Sequence, residues 1–420
     1  GRHLVASRKI LQFLLKKTEM NILFVTTEYI TEKRYDGGLS NYLFRLCGYL
    51  THGENTISIV TLSDKDEEIT FKGVHIYRVK PSTSAALLLK SLKLNRLSAL
   101  TRVIETSYSL NRVVKSILEK EKIDIIQYSS YQSTGIFKPK SVPSIVRLSS
   151  YQPLIRLAQE RKANYSDYLM EWIEKKTIAS FDYVLSPSNY TLNHIKNDIS
   201  SSVKMIESPY KIPETYEFDD SLYLNWLNRK RYILYFGALT PIKGVDLIAK
   251  ELNQLLLDNP TMNIVFVGKD FGYKGQPMMD FIWDSAGSEK SRVLYLGKLN
   301  RAHLNSLIEY ADIILLPSKT DNLPNTCIEA MGLGKVVVGP RGASFDQLIE
   351  HGTSGLLFEH NNAHSLRKTT QLALDMSMTE KKVMGRHAIK KIEKLDPAHK
   401  VPELLEFYKL AIKSYDKHSN

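Results

Sequence analysis

The stretch Ser318-Lys319-Thr320-Asp321-Asn322-Leu323-Pro324-Asn325-Thr326-Cys327-Ile328-Glu329-Ala330-Met331-Gly332 decides how this chain reads. Asp321 and Glu329 are two carboxylates eight residues apart, with a turn at Pro324 between them. Asn325, Thr326 and Cys327 are predicted to open a helix. The first N–H groups of a helix have no partner inside it and face an incoming anion. One carboxylate before the helix and another a turn inside it flank that place. N–H groups for phosphate and carboxylates for hydroxyls suit a sugar nucleotide. An ordinary strand–turn–helix with capping carboxylates would use the same residue types.

Working outward, an apolar strand at 313–316 ends in Pro317-Ser318, and Gly334 precedes another at 336–338. Short apolar strands alternate with amphipathic helical stretches along the whole chain. Strands are expected at 22–26, 56–61, 123–127, 144–148 and 183–186, and again at 232–236, 263–267 and 292–296. The helical stretch at 39–50 carries Leu39, Tyr42, Leu43, Leu46 and Leu50 on one face. Such alternation predicts an α/β fold with parallel sheets covered on both faces. The last three strands end in Gly237, Gly268 and Gly297, which would let a ligand and the backbone approach closely where open α/β sheets bind.

The Asp321–Glu329 stretch and its flanks resemble the E-x7-E motif of retaining glycosyltransferases of family four (glycosyl transferases group 1), with Asp321 in place of the usual first Glu. Phe236-Gly237-Ala238-Leu239-Thr240-Pro241-Ile242-Lys243-Gly244-Val245-Asp246 is similar to that family's G-R-L-x-x-x-K-G-V-D segment. The resemblance implies the GT-B fold, two Rossmann-like domains facing a cleft. It implies transfer of a sugar from a nucleotide donor, such as a UDP- or GDP-sugar, to a hydroxyl of a glycan or lipid-linked acceptor, with retention. Cell-surface polysaccharide synthesis is the expected setting. Lys243 and the N–H groups of Asn325, Thr326 and Cys327 would hold the diphosphate, Asp321 the donor-sugar hydroxyls and Glu329 the ribose. Gly237, Gly268 and Gly297 would line the nucleotide, and Gly37 and Gly38 the other side of the cleft.

Several positions depart from the family pattern. Ala238 stands where Arg is usual, Ser149 where a sugar-contacting His is frequent, and Gln347 where Glu is usual. Arg341, Lys319 and Lys269 are candidates to replace the missing cation. Glu174 and Ser188 match positions that are more often scaffold than site. A non-catalytic nucleotide- or glycan-binding protein that kept the fold is the rival reading.

The implied domains are an acceptor-binding unit at 20–212, a linker at 213–228, a nucleotide-sugar unit at 229–397 and a final helical piece at 398–420 that crosses back. At 420 residues the chain fits two domains. Residues 1–19, with Ile10-Leu11-Gln12-Phe13-Leu14-Leu15 between basic residues, read either as a segment foreign to the natural chain or as a surface-lying basic helix.

The formal net charge is +12. Between Lys80 and Lys122 nine Lys/Arg face three Glu, with Leu87, Leu88, Leu89, Leu92, Leu94, Leu97 and Leu100 interleaved. That segment reads as a solvated helical face, or as one that rests peripherally on an anionic membrane. Neither zinc-finger spacing nor an aromatic-basic RNA motif occurs, so nucleic acid is not an expected partner. Cys47 and Cys327 are the two cysteines and give no disulfide framework, which points to a reducing cytoplasm. No metal or cofactor is expected. Asp64-Lys65-Asp66 lies in a charged run at 64–68 and reads as solvated loop, and Lys243 with the helix N–H groups would do a metal's electrostatic work.

Overall fold

The computed structural model describes residues 19–32, 37–52, 55–91, 93, 95–227 and 230–419. Most of the leader at 1–19, and Leu92 and Leu94 of the basic segment, lie outside them. The chain divides into two compact units. The first takes residues up to Arg156, Arg161–Tyr210 and everything from Leu395 on; the second takes Leu157–Glu160 and Lys211–Lys394.

The first unit is built on eight strands: β1 (Asn21–Val25), β2 (Thr56–Leu62), β3 (Glu67–Phe71), β4 (Val74–Val79), β5 (Ile125–Ser129), β6 (Ser144–Arg147), β7 (Tyr183–Ser186) and β8 (Ser202–Met205). Their order is β3-β4-β2-β1-β5-β6-β7-β8, and every pair is parallel except β3 with β4. That hairpin turns at Lys72 and Gly73, both at positive φ. Asp64-Lys65-Asp66 form the exposed loop before this edge strand, and the charged run continues into it with Glu67 and Glu68. A half-exposed edge strand alternates too weakly in polarity to show in composition.

Four helices of this unit matter below: α1 (Gly38–Leu50), α2 (Ser84–Ser91), α3 (Asn95–Leu118) and α4 (Tyr165–Ala179). Leu43, Leu46 and Leu50 of α1 bury against Ile22, Phe24, Ile57 and Ile59 on one face of the sheet. Leu110, Val114 and Ile117 of α3 and Ile178 of α4 cover Leu23, Val25 and Val60 on the other. Each such side chain contributes about 1.5–3 kcal/mol by leaving water.

The second unit has six parallel strands: β9 (Arg231–Phe236), β10 (Met262–Val267), β11 (Val293–Tyr295), β12 (Ile313–Leu315), β13 (Val337–Pro340) and β14 (Leu356–Phe358). Their order is β11-β10-β9-β12-β13-β14. Its helices include α5 (Val245–Asp258), α6 (Met278–Ala286), α7 (Arg301–Tyr310) and α8 (Asn325–Gly332). Val245, Ile248, Leu252 and Leu255 of α5 pack on Ile233, Tyr235, Ile264 and Phe266. The stretch read as a linker is packed within this unit: Tyr223 stacks on Tyr310 with ring centroids 4.3 Å apart, and Leu227 is fully buried.

A last helix, α9 (Pro397–Ser419), returns to the first unit. Val401, Leu404, Leu405 and Tyr408 join the core beside α1, whereas Leu410 points to solvent. The buried Tyr408 hydroxyl donates to Gln127 Oε1 of β5 at 2.7 Å.

Candidate functional site

In the second sheet the chain runs from β9 outward to β10 and β11, then returns to β12 on the other side of β9. At such a reversal the connections after neighbouring strands part, leaving room for a ligand beyond the carboxyl ends.

The sequence builds this end tightly. After β9, the Thr240 side chain caps a single turn, Pro241–Lys243, by accepting from Lys243 N at 3.3 Å. Gly244 follows at φ +68°, and a Cβ there would lie 1.9 Å from the Pro317 carbonyl oxygen. Only glycine lets the two segments approach so closely. Lys319 N donates to Ile242 O at 2.9 Å across the same contact. Lys243 is thereby carried to the turn after β12, where its ammonium pairs with the Asp321 carboxylate. Asp321 is held from two further sides. Its Oδ1 accepts from Asn322 N at 3.0 Å, and its carbonyl accepts from Ser344 Oγ at 2.8 Å.

Helix α8 opens beside this pair. Pro324 at its N-cap has no side chain that could accept from the first-turn N–H groups. Thr326 lies against Gly237, whose added Cβ would sit 3.8 Å from Thr326 Cγ2. A Cβ on Gly268 would meet the Gly237 carbonyl oxygen at 1.8 Å, and Gly268 N donates to Gly297 O at 2.7 Å. The three strand-end glycines and the first turn of α8 are therefore contiguous. Cys327 contributes backbone only: burial and the Asp321 charge push its thiol up, and Sγ lies 3.6 Å from Met331 Sδ. Glu329, a turn further on, is gripped by both terminal nitrogens of Arg301, at 3.0 and 3.2 Å.

Arg301 and Ser344 were missed from sequence. Their partners lie 28 and 23 residues away along the chain, and neither position carries a local signal beyond following a strand-end turn. The cations read as replacements for Arg at Ala238 have other neighbours. Lys319 is buried in an ion pair with the buried Asp246 at 2.9 Å. The Lys269 ammonium stands 4.9 Å from the centre of the Phe271 ring. Arg341 is exposed just after β13. Gln347 lies on the short helix Phe345–Leu348.

A cavity of about 780 Å³ opens next to Gly268, lined in part by Phe271, Tyr273, Trp283 and Tyr295. Tyr295 donates its hydroxyl to Gly268 O at 2.9 Å. Asp270 holds the connecting loop by accepting from Gly272, Met278 and Met279 N–H groups at 2.7–3.0 Å.

The first unit holds the remaining candidates. Gly37 and Gly38 open α1, after the end of β1. The Glu28 carboxylate accepts from Ser40 N there at 3.3 Å, and a Cβ on Gly37 would stand 3.1 Å from Glu28 Oε1. Burial raises the Glu28 pKa. Ser149 Oγ accepts from Tyr131 N at 3.1 Å. Glu174 is buried, accepts from Gln152 N at 2.8 Å, and is pushed up to about 8 by burial. Ser188 caps the helix Asn189–Ile195. Asp66 Oδ1 accepts from Lys80 N at 2.9 Å. Among the described residues, no three His, Cys, Asp or Glu side chains are grouped to hold a metal.

Residues 223–391, which include every element of the second-unit site, match the family model for glycosyl transferases group 1. This region is similar to the group 1 glycosyltransferases. An uncharacterized glycosyltransferase of Methanocaldococcus jannaschii is 22% identical over 371 residues, spanning 83% of this chain and 87% of that relative. Sucrose-phosphate synthase from Thermosynechococcus elongatus has a similar fold, with a TM-score of 0.74 at 14% identity over 94% of this chain and 100% of that one. So does HepE of Anabaena, solved in complex with UDP and glucose, with a TM-score of 0.65 at 17% identity over 92% and 100%. The chain thus has the GT-B fold.

Proposed function

We propose that the protein transfers a sugar, with retention, from a nucleotide-sugar donor to a hydroxyl of a glycan or lipid-linked acceptor in cell-surface polysaccharide synthesis. The observation that carries the reading is the meeting of Lys243, Asp321 and the first turn of α8 at the reversal point of the second sheet. The solved complex of a similarly folded protein with UDP and glucose supports a nucleoside diphosphate there.

Chemically, the pyrophosphate gains negative charge as the glycosidic bond breaks. An ammonium and fixed N–H groups aimed at it stabilise that charge most in the transition state. Lys243 would turn from Asp321 to the diphosphate. The released Asp321 carboxylate would then accept from donor-sugar hydroxyls, while Glu329 would exchange its hold on Arg301 for the ribose. No metal is needed for this charge balance.

A panel of UDP-, GDP-, ADP- and dTDP-sugars tests the reading by thermal shift. A donor at a hundred times its dissociation constant adds about 2.7 kcal/mol to stability. Lys243→Ala should lose most of that shift. A shift retained in the variant removes Lys243 from the site. Binding without release of nucleotide from its sugar, in the presence of candidate acceptors, would instead favour the non-catalytic reading that Ala238 raises.

A further inference from the structure

The first unit carries an exposed surface that the donor site leaves unexplained. Helix α4 places Tyr165, Tyr168 and Trp172 one turn apart on one side, exposed to 78, 60 and 56%. Lys176 continues the same stripe. Large aromatic side chains in a row are rarely left in water on a soluble face. Helix α3, which packs against α4, shows the same mixture: Ile104 and Tyr108 stand exposed among Arg102, Arg112 and Lys115. Phe137 extends the patch by meeting Tyr108 edge-on, with centroids 5.8 Å apart. Helix α2, which also packs on α3, adds Leu87 and Leu88, with Lys90 beside them.

The acids on these helices are largely spoken for within the unit. Asp167 is paired with Arg161 at 2.6 Å, and Glu171 with Arg156 at 2.5 Å. Glu105 takes the Ala85 N–H at 2.9 Å, which ties α2 to α3. What the face offers outward is cations interleaved with Trp, Tyr and Leu.

We propose that the α2–α3–α4 face docks the protein on an anionic lipid bilayer. Trp and Tyr favour the headgroup level of a membrane because one end is apolar and the other polar. Apolar side chains set among Lys and Arg give a helix that lies in the interface without crossing it. No described helix is long and apolar enough to span a bilayer, which leaves the surface mode. Charge selects the occupant. The same cations would be left facing one another against a second copy of this chain, whereas phosphatidylglycerol headgroups neutralise them. The proposal does not rest on the transferase reading, because empty vesicles test it with no nucleotide present.

The test is flotation of the full chain with vesicles of phosphatidylcholine, with and without phosphatidylglycerol. The wild-type protein should float with the anionic vesicles and release them as salt is raised. Arg112→Glu combined with Lys115→Glu should weaken binding about tenfold or more. A second readout uses brominated lipid, which quenches tryptophan that enters the interface. Quenching should occur in the wild type and be lost in Trp172→Phe, while Trp226 and Trp283 remain. All these side chains are exposed, so unchanged melting temperatures are expected and would confirm the fold. Equal binding to neutral vesicles, no effect of charge reversal, or quenching that survives Trp172→Phe would each overturn the proposal. So would self-association in the absence of lipid that disappears in Trp172→Ala, which would assign the face to a second copy.

Discussion

At the carboxyl ends of β9 and β12, the ammonium of Lys243 stands beside a helix start whose N-cap residue is Pro324. At the carboxyl end of β1, the corresponding helix start is occupied, because the Glu28 carboxylate accepts from the Ser40 N–H. Both places are reversal points of a doubly wound sheet, since β1 lies between β2 and β5 as β9 lies between β10 and β12. The same architecture therefore offers two different surfaces to a ligand. One presents a cation and N–H groups and suits an anion. The other has filled the anion's place with its own carboxylate and suits a ligand rich in hydroxyls. Internal charge, more than fold, distinguishes the two places.

The largest effect expected from breaking this contrast is on stability. Asp246→Ala takes from the buried Lys319 ammonium a carboxylate that faces it at 2.9 Å. Glu160 still faces the ammonium at 2.8 Å, so the loss should sit at the low end for a broken buried pair, roughly 3 kcal/mol in denaturant unfolding. Lys243→Ala comes next. Loss of one cation at the leaving group should lower kcat/KM about a hundredfold, equivalent to about 2.7 kcal/mol. Glu28→Ala should leave the donor-induced thermal shift unchanged, and an equal loss in the two variants would erase the distinction between the units.

A third test uses pH. Glu174 titrates near 8 in the folded protein and at the ordinary carboxylate range when unfolded. The folded state then binds the extra proton between those values, so the contribution is complete at acid pH and is lost as pH rises through about 8. Stability should fall by at most about 1.4 kcal/mol per pH unit on this account, and Glu174→Gln should flatten that slope. A wild-type melting temperature that rises from pH 6 to pH 8, with no change of slope in the variant, would contradict this assignment. The smallest effect concerns Glu28 itself. Its removal uncovers the Ser40 N–H and should cost about 1 kcal/mol, as lost helix caps do.

The parts of this arrangement that could be read in the sequence are those whose partners are close along the chain. Asp321, Pro324 and Glu329 fall within one turn and one helix, so their spacing alone describes a helix start with flanking carboxylates. Gly237, Gly268 and Gly297 were visible because each directly follows an apolar run. Lys243 was found only by likeness to a family segment; its contact with Asp321 spans 78 residues. The Arg301 fork on Glu329 and the Lys319–Asp246 pair are long-range in the same way, and no local pattern encodes them. The β3–β4 hairpin escaped for a different reason. An edge strand with Glu67 and Glu68 at its start lacks the continuous apolar run that marked the buried strands.

The return of α9 has a consequence for how the protein comes into being. Tyr408, Leu404 and Leu405 complete a core that begins with Ile22 and Phe24, so nearly the whole polypeptide must leave the ribosome before the amino-terminal half can close. During translation the part of this core that Val401, Leu404, Leu405 and Tyr408 complete waits uncovered, while the intervening half, contiguous from Lys211 to Lys394 apart from the short piece Leu157–Glu160, has all its own strands in hand. Nascent chains stalled before Leu395 should therefore engage chaperones through the open core beside α1.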